Sequence, residues 1–188
     1  AGWKSGIDLS PTHEELQYFT AKGMNDIRVA IAWESLQPTL GGALDAAYLA
    51  KLQETVSYAA SLGAKVIIDL HNYGAYKGQL IGSAAVPESA VVHVWTKLAG
   101  AFKNSPNVMF GLMNEPQLTD TTQWLGIVNK TIAGIRGQGA DQEVLISGLD
   151  WSGAFNWTTS KNASVLGKAG AIVDPAANYA FEVHQYLD

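Results

Sequence analysis

Strand-like and helix-like segments alternate along this sequence. Short apolar runs are separated by amphipathic stretches with helical spacing of their apolar residues. Six runs are predicted to be strands, at residues 6–9, 26–33, 65–71, 108–113, 143–148 and 179–186. A strict βα alternation implies parallel strands joined by right-handed crossovers. The chain is therefore predicted to be an α/β protein, either an open doubly wound sheet or a (β/α)8 barrel.

Capping and periodicity signals place the helices between these strands. Thr12 and Glu15 match a capping box for a first helix, and Asp45 is expected to cap a second. Pro87 is expected in the first turn of a third helix. Apolar residues at helical spacing predict a fourth helix over residues 121–136. A loop with a short helix is expected between the last two strands.

The side-chain pattern within the strands favours the barrel. In the strands at 26–33 and 65–71, one face is apolar and is expected to be covered by helices, whereas the other carries polar residues. Polar groups near the carboxyl ends of strands are typical of a barrel mouth. No Gly-x-Gly-x-x-Gly motif follows the first predicted strand, which argues against a nucleotide-binding open sheet. The predicted fold is a (β/α)8 TIM barrel, of which this chain supplies about six βα units.

Polar side chains follow most of the predicted strands, at the end where such barrels hold their active sites. They are Glu34, His71 with Asn72, Asn114 with Glu115, Asp150 with Trp151, and His184 with Tyr186. The histidines lie on separate strands without His-Glu-x-x-His or paired-cysteine spacing, so no metal site is predicted. No Gly-x-Ser-x-Gly elbow follows a strand, and the chain has no cysteine. The remaining chemistry is acid/base catalysis by carboxylates, with aromatic surfaces that suit neutral sugar rings.

Composition restricts the possible partners. A chain of 188 residues fits a single domain, residues 1–188. The net charge of −5 and the pI near 5.3 argue against nucleic acid and against an anionic membrane surface. No run approaches the ~18 apolar residues of a membrane span. A small or neutral partner is expected.

Four motifs on four predicted strands resemble those of one enzyme family. Asn114-Glu115-Pro116 closes one strand and Arg28 lies inside another, while His71-Asn72-Tyr73-Gly74 and His184-Gln185-Tyr186-Leu187-Asp188 follow two more. In this order the motifs resemble glycoside hydrolase family 5, and above all its secreted, fungal-type endo-β-1,4-glucanases. The resemblance covers nearly the whole chain, from about residue 13 onward. It implies a TIM barrel that hydrolyses internal β-1,4 bonds of cellulose with retention, and it implies no cofactor.

The resemblance also implies a role for each matching residue. Glu115 would protonate the leaving glycosidic oxygen and then activate water as a base. Asn114 would hydrogen-bond the sugar 2-hydroxyl, and Arg28 would hold the nucleophilic carboxylate ionised and oriented. Other matching residues would line the sugar site or contact the substrate: His71, Asn72, Tyr73, Tyr76, His184 and Tyr186.

Structural roles remain open for several of these residues. Glu115 could serve only as a helix cap. Arg28 could form a structural ion pair with Asp69 or Glu182, a role that is compatible with the functional one. Core packing and sugar contact are both open for a further set of rings: His71, His184, Trp33, Trp151 and Trp157.

The resemblance requires a second carboxylate that the predicted strands do not supply. The family pattern has a nucleophilic Glu at the end of a seventh strand and a Trp after an eighth, and six strands are predicted here. Glu182 faces inward, but it belongs to the ordinary pattern of the sixth strand and is not the expected nucleophile. The nucleophile is expected beyond Asp188, in a longer enzyme that is a secreted, extracellular monomer. The alternatives are a β-mannanase or other β-glycanase on the same scaffold, and a carbohydrate-binding remnant that does not cleave.

Overall fold

A five-stranded parallel sheet and a short antiparallel hairpin form the β-structure of the computed structural model, which describes residues 10–187. The strands are β1 Asp26–Ile31, β2 Lys65–Leu70, β3 Ala75–Tyr76, β4 Gln79–Leu80, β5 Val108–Gly111, β6 Val144–Ser147 and β7 Tyr179–Glu182. The parallel sheet has the order β1-β2-β5-β6-β7, and β3 pairs with β4. The strand predicted at residues 6–9 lies outside the described residues.

Helices connect the parallel strands. They are α1 His13–Ala21, α2 Trp33–Leu36, α3 Ala46–Ser61, α4 Ser89–Phe102 and α5 Thr121–Arg136. A 3₁₀ turn at Asp150–Ser152 and a π-helical turn at Asn162–Leu166 lie between β6 and β7, where the sequence predicted a loop and a short helix. Within residues 10–187, no helix has the length and apolar character that crossing a membrane requires.

The predicted helices and strands appear in the predicted order from residue 10 onward, and α5 has the predicted bounds. Three short elements, α2, β3 and β4, were not predicted. Thr12 and Glu15 form the predicted capping box, and the Asp45 side chain accepts from Tyr48 N at 2.8 Å. Each of the five strands is shorter than predicted. The first one ends early because Asn72 Oδ1 accepts from Trp33 N at 2.7 Å, where the chain turns into α2.

Further local features differ from the sequence predictions. The prediction that Pro87 lies in the first turn of α4 is wrong, because α4 begins at Ser89. Ala90 N donates to Pro87 O at 2.9 Å, so a tight turn precedes the regular helix. The β3-β4 hairpin was not predicted, since its strands have two residues each. Its turn places both Lys77 (φ 47°) and Gly78 (φ 76°) in the left-handed region, as a type I′ turn requires.

The core lies between the outer faces of the strands and the helices. Val29, Ile31, Ile68 and Leu70 are buried on the face predicted to be apolar. Val183, which directly follows β7, is 47% exposed.

Two buried tryptophans fasten α4 and α5 to the ends of the strands. Trp95 Nε1 donates to Leu112 O at 2.9 Å, and Trp124 Nε1 donates to Ser147 O at 2.8 Å. A buried indole N–H needs such a partner, because an unsatisfied donor in the core is costly. These bonds hold the strand ends from which the cavity is built.

Arg136, at the end of α5, binds the segment that precedes β7. Its guanidinium donates to both carboxylate oxygens of Asp174 at 2.8 Å, and to the backbone carbonyls of Ala140, Gln142 and Asn178. The Arg136 side chain is 6% exposed and the Asp174 side chain is 0% exposed. The hydrogen bond from Arg136 lowers the pKa of Asp174 below its ordinary value. The pair therefore fixes the entry into β7.

We expect Arg136→Gln to lower the free energy of unfolding by about 3–5 kcal/mol, because it leaves the Asp174 carboxylate buried without its partner. Urea unfolding near neutral pH measures the loss. Since the pKa of Asp174 is lowered in the folded state, the contribution of the pair is present above the unfolded value of about 3.9 and is lost as the pH falls through the folded value.

Lys130→Gln in the same helix is the matched control. Lys130 pairs with Glu88 at 3.0 Å, but its side chain is 64% exposed, so a loss below about 1 kcal/mol is expected. Equal losses in the two variants would contradict the role given to Arg136.

Candidate active site

Seven of the eight site residues predicted from the sequence line one cavity at the carboxyl ends of the strands. Its volume is about 510 Å³. The seven are Arg28, His71, Tyr73, Asn114, Glu115, His184 and Tyr186, and Glu182 lies with them. Because parallel strands all end at the same edge, residues far apart in the sequence meet here.

Glu115 enters the cavity through a sharp turn after β5. Two buried residues continue the strand, and Asn114 N donates to Leu70 O at 2.9 Å. Glu115 then has φ +40°, in the left-handed region, directly before Pro116. Such a conformation costs a residue other than glycine about 1–3 kcal/mol. The strained turn moves the backbone away from the strand and leaves the carboxylate at the cavity.

Two donors hold one oxygen of the Glu115 carboxylate. His184 Nδ1 lies 2.6 Å from Glu115 Oε1, and the Tyr186 hydroxyl donates to the same oxygen at 3.0 Å. The hydrogen bond to Glu115 raises the pKa of Tyr186, which keeps the phenol protonated. The carboxyl group therefore has a defined orientation, with Oε1 bound by the protein.

His184 lies between two carboxylates. Its Nε2 is 2.9 Å from Glu182 Oε1, on the side of the ring opposite Glu115. The hydrogen bond with Glu182 is the main cause that raises the pKa of His184, against the opposing effect of burial. Burial by itself raises the pKa of Glu182, but the hydrogen bond with His184 and the charge of Arg28 outweigh it, and the pKa is lowered. These shifts favour an ionised Glu182 beside a protonated His184.

Arg28 lines the cavity and contacts three side chains. Its Nη2 is 2.8 Å from Glu182 Oε1, 3.1 Å from Asp69 Oδ2 and 2.8 Å from Asn114 Oδ1. The ion pair that the sequence analysis left open for Arg28 is therefore present, with both acids. Because the Asn114 carbonyl accepts from Arg28, the amide nitrogen of Asn114 is the group that can donate to a ligand.

His71 and Tyr73 form a second part of the cavity wall. His71 Nδ1 lies 2.5 Å from Asp69 Oδ2, and the Tyr73 hydroxyl lies 3.3 Å from His71 Nε2. Burial raises the pKa of Asp69, whose side chain is fully covered. Burial likewise raises the pKa of Tyr73.

Asn72 is the predicted site residue that does not line this cavity. Its Oδ1 accepts from Trp33 N, and its Nδ2 donates to Glu34 Oε2 at 2.7 Å. Tyr76, another candidate substrate contact, is buried and donates to Gln37 O at 2.7 Å. These side chains hold the loops that follow β1 and β2.

The three tryptophans whose roles were open differ in burial. Trp33 is fully buried in the core, and Trp157 is half-buried against Phe181. Trp151, just after β6, is 55% exposed. Trp151 is therefore the most exposed of the three rings.

Comparison with known proteins identifies the family. Residues 3–188 match the family model described as cellulase (glycosyl hydrolase family 5). The chain belongs to glycoside hydrolase family 5. The family resemblance of the four sequence motifs is thereby confirmed.

Similar proteins of family 5 include endoglucanases. The manganese dependent endoglucanase Eg5A of Phanerodontia chrysosporium is 32% identical over 98% of this chain. An endo-β-1,4-glucanase structure from Xanthomonas axonopodis pv. citri is 42% identical, with a TM-score of 0.90 over 95% of the chain. A structure of XacCel5A in complex with cellopentaose is 41% identical, with the same TM-score and coverage. The chain spans 48% of the first protein and 57% of each of the other two chains.

The likeness to family 5 structures confirms the predicted TIM-barrel fold class. The described residues contribute five parallel strands and their connecting helices to it.

Ser152 supports the site of this family 5 chain, although no sequence pattern predicted it. Its Oγ donates to Glu182 O at 2.5 Å and accepts from Gly148 N at 2.9 Å, while His184 N donates to Ser152 O at 2.8 Å. Residues 150–152 all have φ between +51° and +60°. This turn continues the pairing beyond β7 and fixes the backbone that carries His184. A loop serine has no periodic or motif signal that could have identified it.

We expect the raised pKa of His184 to make it a stabilising group at acidic pH. Its contribution is fully present below the unfolded pKa of about 6.5 and is lost as the pH rises through the raised folded value. The difference in unfolding free energy between the parent protein and His184→Gln should therefore be larger near pH ~5 than near pH ~9. Urea unfolding at several pH values measures it.

Tyr186→Phe provides the control within the same site. It removes a hydrogen bond to Glu115, but the pKa of Tyr186 is raised above its ordinary value of about 10, so the hydroxyl does not titrate between pH ~5 and ~9. Titration of the Tyr186 hydroxyl should therefore not make the difference in unfolding free energy between the parent and Tyr186→Phe depend on pH in this range. A pH-independent difference for His184→Gln would show that His184 does not gain a proton on folding.

Proposed function

We propose that the protein containing this chain is a retaining endo-β-1,4-glucanase that cleaves internal bonds of cellulose and cello-oligosaccharides. The observation that carries the proposal is the Glu115 carboxyl group, held by His184 and Tyr186 at the cavity of a family 5 chain. The cellopentaose complex of a protein 41% identical to this chain supports a β-1,4-glucan substrate over a mannan.

In the first step, Glu115 acts as the general acid. It donates its proton to the glycosidic oxygen while a second carboxylate attacks the anomeric carbon, so the glycosidic bond breaks and a glycosyl-enzyme ester forms. Retaining enzymes hold the two carboxyl groups about 5–5.5 Å apart. Glu182 is not assigned this second role, because the family pattern has its nucleophilic Glu at the end of a seventh strand, whereas Glu182 lies in the sixth predicted strand. We place the nucleophile in a part of the whole protein outside this chain.

In the second step, Glu115 acts as the general base. Its carboxylate takes a proton from water as the water oxygen attacks the anomeric carbon, which releases the nucleophile and returns Glu115 to its protonated form. The Asn114 amide nitrogen would donate to the sugar 2-hydroxyl during both steps, since the Asn114 carbonyl is bound by Arg28. His71 and Tyr73 would line the same sugar site.

The reaction is assigned to side chains alone. One relative is named as manganese dependent. Among residues 10–187, however, no group of three or more His, Asp or Glu side chains could hold a metal ion. No step is therefore derived through a metal.

The location and assembly of the enzyme follow from its substrate and its family. A polymeric substrate is met outside the cell, so we propose a secreted, extracellular enzyme. We also propose that the enzyme is a monomer. The family match over residues 3–188 supports one catalytic domain that includes this chain.

We expect Glu115→Gln in the intact enzyme to lower kcat/KM on cellopentaose by about 10²–10⁴-fold, because the amide cannot donate the required proton. Reducing-sugar release or product chromatography measures the loss. A 2,4-dinitrophenyl cellobioside has a leaving group that needs no protonation. Its kcat/KM should fall far less, which distinguishes a lost acid from a misfolded site.

Glu14→Gln is the control for the same substitution on the exposed surface of α1, and it should leave both activities unchanged. Near-full activity of Glu115→Gln on cellopentaose would overturn the assignment. If the parent enzyme cleaved manno-oligosaccharides faster than cello-oligosaccharides, the proposed glucan specificity would be wrong.

A further inference from the structure

Two strands of the cavity repeat one short pattern, an acidic residue followed two positions later by a histidine. The pairs are Asp69 with His71 at the end of β2, and Glu182 with His184 at the end of β7. Residues two apart on a strand point to the same face, so each acid can reach its histidine. The distances are 2.5 Å from Asp69 Oδ2 to His71 Nδ1 and 2.9 Å from Glu182 Oε1 to His184 Nε2.

The two pairs differ in what the second ring nitrogen meets. His71 Nε2 lies 3.3 Å from the Tyr73 hydroxyl, whereas His184 Nδ1 lies 2.6 Å from Glu115 Oε1. His184 is thus placed between two carboxyl groups. A neutral imidazole has one N–H donor and one lone pair. The neutral form of His184 would therefore direct a lone pair at a carboxyl oxygen on one side.

The protonation of His184 decides which oxygen of Glu115 carries the acidic proton. When His184 Nδ1–H and the Tyr186 hydroxyl both donate to Oε1, that oxygen is the carbonyl oxygen, and the proton resides on Oε2. A neutral His184 that donates from Nε2 to Glu182 would instead accept at Nδ1. The proton of Glu115 would then lie on Oε1, bound by the histidine rather than available to the glycosidic oxygen.

We propose that Glu182 is a positioning residue for the acid step: it keeps both N–H groups on His184 and thereby directs the Glu115 proton to Oε2. This inference rests on the proposed function of Glu115. The charged and titratable groups around His184 are consistent with it. Arg28 holds Glu182 ionised at 2.8 Å, the Tyr186 hydroxyl contacts Glu115, and Asp69 is paired with Arg28 and His71.

The test is the pH profile of Glu182→Gln in the intact enzyme. Without the carboxylate, His184 loses its proton at lower pH. We expect kcat/KM on cellopentaose to fall at least about tenfold more near pH ~8 than near pH ~5, because a neighbouring opposite charge changes such an equilibrium by at least this factor. With 2,4-dinitrophenyl cellobioside, which needs no acid, this extra alkaline loss should be absent. Glu182→Asp retains the charge and should restore the profile toward that of the parent enzyme.

Asp69→Asn is the matched control, since it makes the same change in the other pair and shares the Arg28 partner. Even if Asp69→Asn lowers kcat/KM at every pH, the fall of kcat/KM at alkaline pH should occur at the same pH as in the parent. ¹⁵N NMR of the imidazole gives the second readout: both nitrogens of His184 should be protonated near pH ~7 in the parent and not in Glu182→Gln.

Three results would overturn the proposal. The first is a His184 that carries only one ring proton in the parent near pH ~7. The second is a His184 titration that is the same in Glu182→Gln as in the parent. The third is a His184 titration that shifts in Glu182→Gln while the fall of kcat/KM at alkaline pH stays where it is in the parent. The first needs no variant, so a Glu182→Gln protein that does not fold still leaves a decisive measurement. If the parent enzyme does not cleave cellopentaose, the proposed function fails, whereas the NMR result still decides the arrangement of Glu182 and His184.

Discussion

One guanidinium group joins the two outer strands of the described sheet. Arg28 lies on β1 and binds Glu182 on β7, although β1 and β7 are at opposite ends of the strand order. The sheet must curl for this contact to form. Removing carboxylates from water costs several kcal/mol per ion, and the permanent positive charge of Arg28 offsets that cost for both Asp69 and Glu182. The curvature of the sheet therefore brings Arg28 to Glu182, and the ion pair in turn holds the two outer strands together.

The orientation of the catalytic groups follows from the contacts of Arg28. Arg28 donates to the side-chain carbonyl of Asn114, so the Asn114 amide nitrogen is left to donate to the ligand. Together with His184, Arg28 also keeps Glu182 ionised. Glu182 in turn favours the protonated form of His184, which holds Glu115. The strained turn at Glu115 is maintained by the packing around it, as is usual where a structure presents a reacting group.

Much of the fold and the site could be predicted because the signals are local or carried by motifs. The capping box at Thr12 and the helix over 121–136 follow from short-range chemistry. Seven predicted site residues share one cavity because the barrel architecture brings strand ends together. Asn72 belongs to the same motif as His71, yet its amide holds the loop after β1. No pattern within the sequence distinguishes a side chain that faces the cavity from one that faces the neighbouring loop.

The sequence by itself determined the order of strands and helices, the apolar and polar faces of most strands, and the identity of the residues at the strand ends. Periods of two and 3.6 residues and short motifs are properties of neighbouring residues, so they are readable without the fold. The tertiary structure decided that Arg28 meets both acids, that Trp33 is core while Trp151 is exposed, and that Ser152 holds the backbone of His184. These contacts join residues from distant strands and loops, and only the curvature and packing of the sheet set which of them come within hydrogen-bond distance.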